Sequence, residues 1–138
     1  EKFITLSRKE KLVKKVIIHP TSFSISLYTE EGDELSPSRL SAGERQLLAV
    51  AIMWGLAEAS GKELPTVIDT PLGRLDGKHR SRLIENYFPY ASQQVILLST
   101  DEEISGQYHD ALMPFVSREY HIQYNESEQT STIEEGYF

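Results

Sequence analysis

Thr66-Val67-Ile68-Asp69 and Gln94-Val95-Ile96-Leu97-Leu98-Ser99 are the two runs whose reading decides the fold. Each is a short apolar stretch rich in β-branched residues, the pattern of a strand buried on both faces in a parallel sheet. Between them, Pro71-Leu72-Gly73 supplies turn chemistry. Residues 77–87 then set Lys78, Arg80, Arg82 and Glu85 around Leu83 and Ile84, as a helix with one solvated face does. Strand, helix and strand in this order predict a βαβ unit with a right-handed crossover, and hence an α/β fold.

Upstream of this unit, residues 44–58 are rich in Ala, Leu, Ile and Met with few charges. They read as a largely buried helix, ended by Gly61 and introduced by the break at Pro37-Ser38. Val16, Ile18, Phe23, Ile25 and Leu27 follow a period of two, and Glu31-Gly32-Asp33 supplies a turn, so a strand or hairpin is expected. Residues 1–15 carry Phe3, Leu6 and Val13 at helical spacing, which fits the root of a coiled coil. Downstream, a helix over 102–113 and a strand at Tyr120-His121-Ile122-Gln123-Tyr124 are expected, the latter pairing antiparallel with 130–134. The domain division is therefore 1–15 as a helical base and 16–138 as one folding unit, consistent with 138 residues of 39% hydrophobic content.

Composition narrows the chemistry. Zero cysteines exclude disulfides, iron–sulfur clusters and thiol catalysis in this chain, and His19, His79, His109 and His121 never fall at metal-ligand spacing. No apolar run approaches the ~18 residues of a membrane helix, so no membrane partner is expected. Asn125-Glu126-Ser127 is a formal glycosylation sequon without a secretory signal before it. The net charge is −7, yet residues 1–15 hold six basic against two acidic side chains. That segment reads either as a solvated helical face or as a contact to nucleic acid.

Four constellations carry candidate chemistry. Leu40-Ser41-Ala42-Gly43-Glu44 lies where a loop becomes the long apolar helix. Small residues there leave the first helical amides open to an anion, and Ser41 adds a hydroxyl. Ser41 and Glu44 also match an ordinary capping box, and the two readings are compatible. Asp69 ends the first strand, where α/β sheets gather ligands and where a carboxylate can hold Mg²⁺ through water; it can equally cap the turn Asp69-Thr70-Pro71. Asp76 in Gly73-Arg74-Leu75-Asp76 can be the N-cap of the next helix. Leu98-Ser99-Thr100-Asp101-Glu102-Glu103 closes the second strand, and its acids suit a helix start.

Taken in order, these elements resemble the C-terminal half of a P-loop ABC ATPase head. Residues 40–44 are similar to the signature motif, 67–69 to the Walker B strand, 73–76 to the D-loop and 98–103 to the switch region. The Ser-Ala-Gly-Glu-Arg string and the Ser-x-Asp-Glu-Glu ending most resemble SMC/Rad50-type heads. Two longer strings, 68–76 and Thr132-Ile133-Glu134-Glu135-Gly136-Tyr137-Phe138, resemble the DndD ATPases of DNA phosphorothioate modification. The resemblance implies ATP and Mg²⁺ as cofactors, with Asp69 on the metal in cis. Ser41, Ala42, Gly43 and Glu44 would face ATP on an opposing head, and Asp76 would sit at that interface. It further implies DNA, a head-to-head homodimer and other phosphorothioation proteins as partners, a coiled-coil arm at residues 1–15, and a cytoplasmic, nucleoid-associated setting.

Two departures bear on hydrolysis. The position after the Walker B aspartate is Thr70 where the family has a glutamate that polarises water, and Thr100 stands for the switch histidine. A threonine hydroxyl orients water but is no general base at neutral pH, so Thr70 and Thr100 leave slow turnover or help from Asp101, Glu102 or another lobe as alternatives. A Walker A loop is not found within these residues. Its nearest candidate, Gly55 to Lys62, has five residues between its glycines and Glu63 where Ser or Thr must bind Mg²⁺. The phosphate cradle is therefore expected on an N-terminal Walker A lobe of the same protein. Sulfur transfer is expected in partner proteins.

Overall fold

The computed structural model describes residues 2–6 and 13–137. A short helix α1 (Lys2–Leu6) opens the chain. Its Phe3 and Leu6, together with Val13, are buried in the core against the elements that follow. Residues 7–12 of the anticipated helical segment lie outside the described residues, and Val13 and Lys14 lead without helical structure into β1. The period-two region resolves into an antiparallel meander of β1 (Lys15–Ile18), β2 (Ile25–Tyr28) and β3 (Glu34–Leu35). Pro20 lies in the β1–β2 connection, so what read as one alternating run is two strands paired Val16 to Leu27 and Ile18 to Ile25.

A 3₁₀ turn (Pro37–Arg39) leads to α2 (Ala42–Ser60). Ser41 caps it reciprocally with Glu44, and Gly61 ends it in a left-handed conformation at φ 62°, which glycine adopts without the steric cost of a Cβ. Glu44, Leu47, Leu48, Ala51 and Trp54 face the core. The expectation of a largely buried helix needs correction, because Met53 and Leu56 are 65% and 52% exposed. The apolar residues encircle this helix, but only one side of it is covered.

The strand–helix–strand order and the parallel pairing of the βαβ unit are as expected. β4 (Thr66–Asp69) pairs in parallel with β5 (Val95–Leu98), Asp69 opposite Leu98, and α3 (Gly77–Asn86) lies between them in sequence. α3 is amphipathic and buries His79, Leu83 and Ile84, while just beyond it Tyr87 packs on Trp54 and on Phe88. Burial on both strand faces is not observed. Ile68, Val95 and Leu97 pack on the core, whereas Val67, Ile96 and Leu98 are 59%, 41% and 46% exposed. One face of this two-stranded sheet is apolar and uncovered by the described chain.

The helix expected over 102–113 is shorter. Turns occupy 101–104, and α4 (Gln107–Leu112) begins only after Gly106 at φ 52°. The chain closes with the antiparallel pair β6 (Tyr120–Asn125) and β7 (Thr130–Glu135). No described helix is long and apolar enough to cross a membrane.

Candidate functional site

The first cluster forms at the start of α2. Ser41 Oγ accepts from the Glu44 amide at 3.2 Å, and the Ser41 amide donates to Glu44 Oε2 at 2.8 Å. Glu44 is buried, and its carboxyl group accepts from the cap at the positive end of the helix. Ala42 and Gly43 occupy the first two helical positions, whose amides have no intrahelical acceptor by geometry. Arg45 donates to the Leu40 carbonyl at 2.5 Å and braces the loop before the helix. Ser41 and Ala42 remain exposed.

Gly43 joins this cluster to the Gly73–Asp76 loop. A β-carbon at Gly43 would stand 3.5 Å from Leu75 Cδ2, 3.6 Å from the Arg74 carbonyl and 3.9 Å from His79 Nδ1. A longer side chain there would push the loop away. Asp76 is the N-cap of α3, accepting from the amides of Lys78 and His79 at 3.1 and 3.0 Å, with its other oxygen 3.2 Å from His79 Nδ1. Arg80 donates to the Leu75 carbonyl at 2.9 Å and lies over the Tyr108 ring. Of the basic residues near α3, Arg80 thus fixes the loop, while Arg74 and Lys78 are exposed.

The second cluster forms where β4 and β5 end. Asp69 is exposed, and Thr70 donates its hydroxyl to Asp69 Oδ1 at 3.3 Å. Thr70 also continues the ladder through its amide to the Leu98 carbonyl at 2.9 Å. Its φ of 51° is a left-handed conformation that a β-branched residue rarely adopts, at a cost of about 1–3 kcal/mol. Gly73 makes this turn possible, since a β-carbon there would sit 2.8 Å from Thr70 Cγ2. Thr100 lies on the facing loop, exposed, its carbonyl accepting from the Glu103 amide at 3.2 Å.

Glu103, read from the sequence only among the acids of a helix start and a switch-like run, and Tyr137 hold the second cluster together. Glu103 is 9% exposed, and its Oε1 accepts from the Leu72 amide at 2.7 Å, bridging the two strand-end loops. Tyr137 donates its hydroxyl to the Ile104 carbonyl, and its ring stacks on His109 with centroids 4.4 Å apart. His109 in turn meets Glu119 at 2.6 Å. Burial pushes the Tyr137 hydroxyl above its usual pKa; a hydrogen bond with Ser99 lowers it, and Glu119, Asp101 and Glu103 raise it further. The tail string containing Tyr137 stood out in the sequence, but nothing there indicated its target.

The donor set admits nucleotide and metal only as half a site. Asp69 offers one exposed carboxylate at a strand end, which suits a metal held partly through water and phosphate oxygens. Among the described residues no group of three or more His, Asp or Glu side chains could hold a metal ion unaided.

No family model matches the sequence. The chain is 30% identical over 92 residues to the DNA double-strand break repair Rad50 ATPase of Halobacterium salinarum, an alignment covering 59% of this chain and 10% of that protein. The SMC head domain from Thermotoga maritima superposes with a TM-score of 0.57 at 16% identity, over 99% of this chain and 46% of that one. The chain shares its fold with SMC heads. A second solved structure, from work on ATP-driven dimerization and DNA stimulated activation of SMC ATPases, matches with a TM-score of 0.58 at 16% identity, over 96% of this chain and 84% of the other. The chain is thus similar to a Rad50 ATPase over part of its sequence and to SMC heads in fold, and it spans only a tenth of the length of that Rad50 relative.

Proposed function

We propose that this chain is the C-terminal lobe of an SMC/Rad50-type ATPase head. In this reading Asp69 completes an ATP–Mg²⁺ site in cis, while Ser41, Ala42 and Gly43 face the nucleotide of a second head. The observation that carries it is the close approach of Arg74 and Leu75 to Gly43, which leaves little room for a larger side chain and sets the anion-binding start of α2 beside the Asp76 loop. Exposed Ser41 and Asp76 then flank this contact as one surface for an opposing head.

Each residue has a role its geometry permits. The Ser41 hydroxyl accepts from Glu44 and keeps its own proton to donate to a phosphate oxygen, and the amides of Ala42 and Gly43 sit at the positive end of α2. Asp69 would hold Mg²⁺, which when bound neutralises phosphate charge. Thr70, hydrogen-bonded to Asp69, orients the carboxylate or a water but does not remove a proton at neutral pH. Val67, Ile96 and Leu98 form an apolar sheet face that suits an N-terminal Walker A lobe. Closing two heads around nucleotide rewards only the engaged state, which couples ATP to DNA-linked work.

Within this class, the strings 68–76 and 132–138 favour DNA phosphorothioate modification, with other phosphorothioation proteins as partners in a nucleoid-associated, cytoplasmic complex. Deleting the gene would then remove phosphorothioate linkages and leave break repair intact; the opposite outcome assigns the chain to Rad50-type repair. Thr70 and Thr100 favour one alternative, a nucleotide-gated scaffold, which a turnover rate well above background excludes. The decisive experiment is Ser41→Arg in the full-length protein, read by light scattering. ATP-dependent dimers are expected to disappear, and undiminished dimerisation overturns the assignment.

A further inference from the structure

The two loops that would flank the metal are fixed by a polar chain running from the β4 end to the C-terminal tail. Its first link is Glu103 Oε1 on the Leu72 amide at 2.7 Å. Its second is the turn that returns the Glu103 amide to the Thr100 carbonyl at 3.2 Å. Its third is Tyr137, whose hydroxyl meets the carbonyl of Ile104, the residue next to Glu103. The tail is itself anchored, since the Gly136 amide donates to the Glu119 carbonyl at 2.9 Å while the Glu119 carboxylate holds His109, on which the Tyr137 ring stacks. The first and third links join residues 31 and 33 apart in sequence, and all three end on the backbone of a loop, not on a side chain that could swing away.

Burying Glu103 is costly unless its position does something that an apolar residue cannot. Its Oε2 is buried and accepts no hydrogen bond from the described residues, a state that ordinarily costs on the order of 1–3 kcal/mol. A core position filled for packing alone would be served better by leucine. What the carboxylate provides is a directional bond to one amide in the turn that carries strained Thr70 and Asp69. Without that bond, Thr70 at φ 51° has less to prevent its relaxation to an ordinary conformation. The ring of Tyr137 stacks on His109, and its hydroxyl ties the tail to the Ile104 carbonyl next to Glu103.

We propose that Glu103 and Tyr137 are positioning residues, which set Thr100 against Asp69 and Thr70 by clamping the 99–104 loop between the β4 turn and the C-terminal tail. The proposal rests on the ATPase reading of the same site. It makes the tail, through Tyr137, part of the hydrolytic geometry though Tyr137 touches neither nucleotide nor metal. A carboxylate acting as an acceptor for an amide is replaceable by a carboxamide oxygen, whereas one acting as a base is not. Glu103→Gln therefore separates positioning from proton transfer.

The test uses the full-length protein in wild-type, Glu103→Gln, Glu103→Ala and Tyr137→Phe forms. Steady-state ATP hydrolysis is measured together with amide hydrogen exchange over 70–73 and 99–104. Glu103→Ala and Tyr137→Phe are expected to lower kcat roughly tenfold, with KM for ATP within about twofold, because misplacing a reacting group costs rate more than binding. Exchange should rise over 70–73 in Glu103→Ala and over 99–104 in Tyr137→Phe, and Glu103→Gln should keep most of the wild-type kcat and protection. An active wild type with unchanged kcat in Glu103→Ala and Tyr137→Phe overturns the positioning role alone. A Glu103→Gln head as inactive as Glu103→Ala, with its loops still protected, replaces positioning by proton transfer and overturns it too. A wild-type head without turnover overturns the ATPase reading and the positioning role with it, even if exchange changes as expected.

Discussion

The start of α2 and the ends of β4 and β5 both face outward, yet they are built on opposite terms. At α2 the polar groups answer one another locally: Ser41 and Glu44 are three residues apart, and the cap forms from residues 41–44 alone. At the strand ends the polar groups are answered from a distance, Glu103 reaching Leu72 across 31 residues and Tyr137 reaching Ile104 across 33. The first region is relaxed and assembles with its helix. The second holds a threonine in a left-handed conformation and a carboxylate oxygen without a donor among the described residues, so it depends on the whole fold. A surface that presents donors can be local; a site that must hold groups in register needs bracing from several elements.

Asp69→Asn should break the comparison most sharply on the functional side. Mg²⁺-dependent hydrolysis is expected to fall by about 100-fold or more while the melting temperature stays near wild type, because Asp69 is exposed and its loss removes charge at the reacting centre. Gly73→Ala tests the strain. A methyl group 2.8 Å from Thr70 Cγ2 should destabilise by about 1–3 kcal/mol in urea unfolding and disturb turnover as well. Glu44→Ala tests the local region: it removes half of the capping box, with an expected loss of about 1 kcal/mol, and an equal loss of turnover with unaltered nucleotide-driven dimerisation would contradict the proposed division of labour.

The smallest expected effect is on the alkaline limb of stability. The Tyr137 hydroxyl has its pKa raised above 10.0 in the folded state, chiefly by burial. Its contribution is therefore complete below pH 10 and is lost as pH rises through the folded value, since only the folded state resists ionisation. Tyr137→Phe should flatten that limb in denaturation measured from pH 9 to 11. A profile identical to wild type would mean the tail is not packed on the 99–104 loop in solution.

Sequence patterns conveyed local structure well and long-range bracing poorly. Ser41 with Glu44, Gly61 and Asp76 announced the helix ends, because capping involves residues within three or four of each other. The apolar runs at 66–69 and 94–99 announced parallel strands, and β4 and β5 do pair that way. Those same runs could not reveal that Val67, Ile96 and Leu98 stay exposed, since an uncovered apolar face and a covered one have the same composition. Gly43 and Leu75 were each recognisable, but their close approach was not, because α2 and β4 separate them in sequence. Glu103 and Tyr137 were hidden for the same reason, their partners being backbone atoms, which leave no mark in the identity of the residues contacted.

The uncovered face of β4 and β5 bears on how the chain behaves at high concentration. Among the described residues each of these strands has only the other as a neighbour, so each is an edge strand with backbone donors and acceptors directed outward. Apolar edge strands are templates for pairing with other chains, and here only β4 carries a charge, Asp69 at its end. Overexpressing residues 1–138 alone should therefore yield material that self-associates through Val67, Ile96 and Leu98, and Ile96→Lys should keep it dispersed.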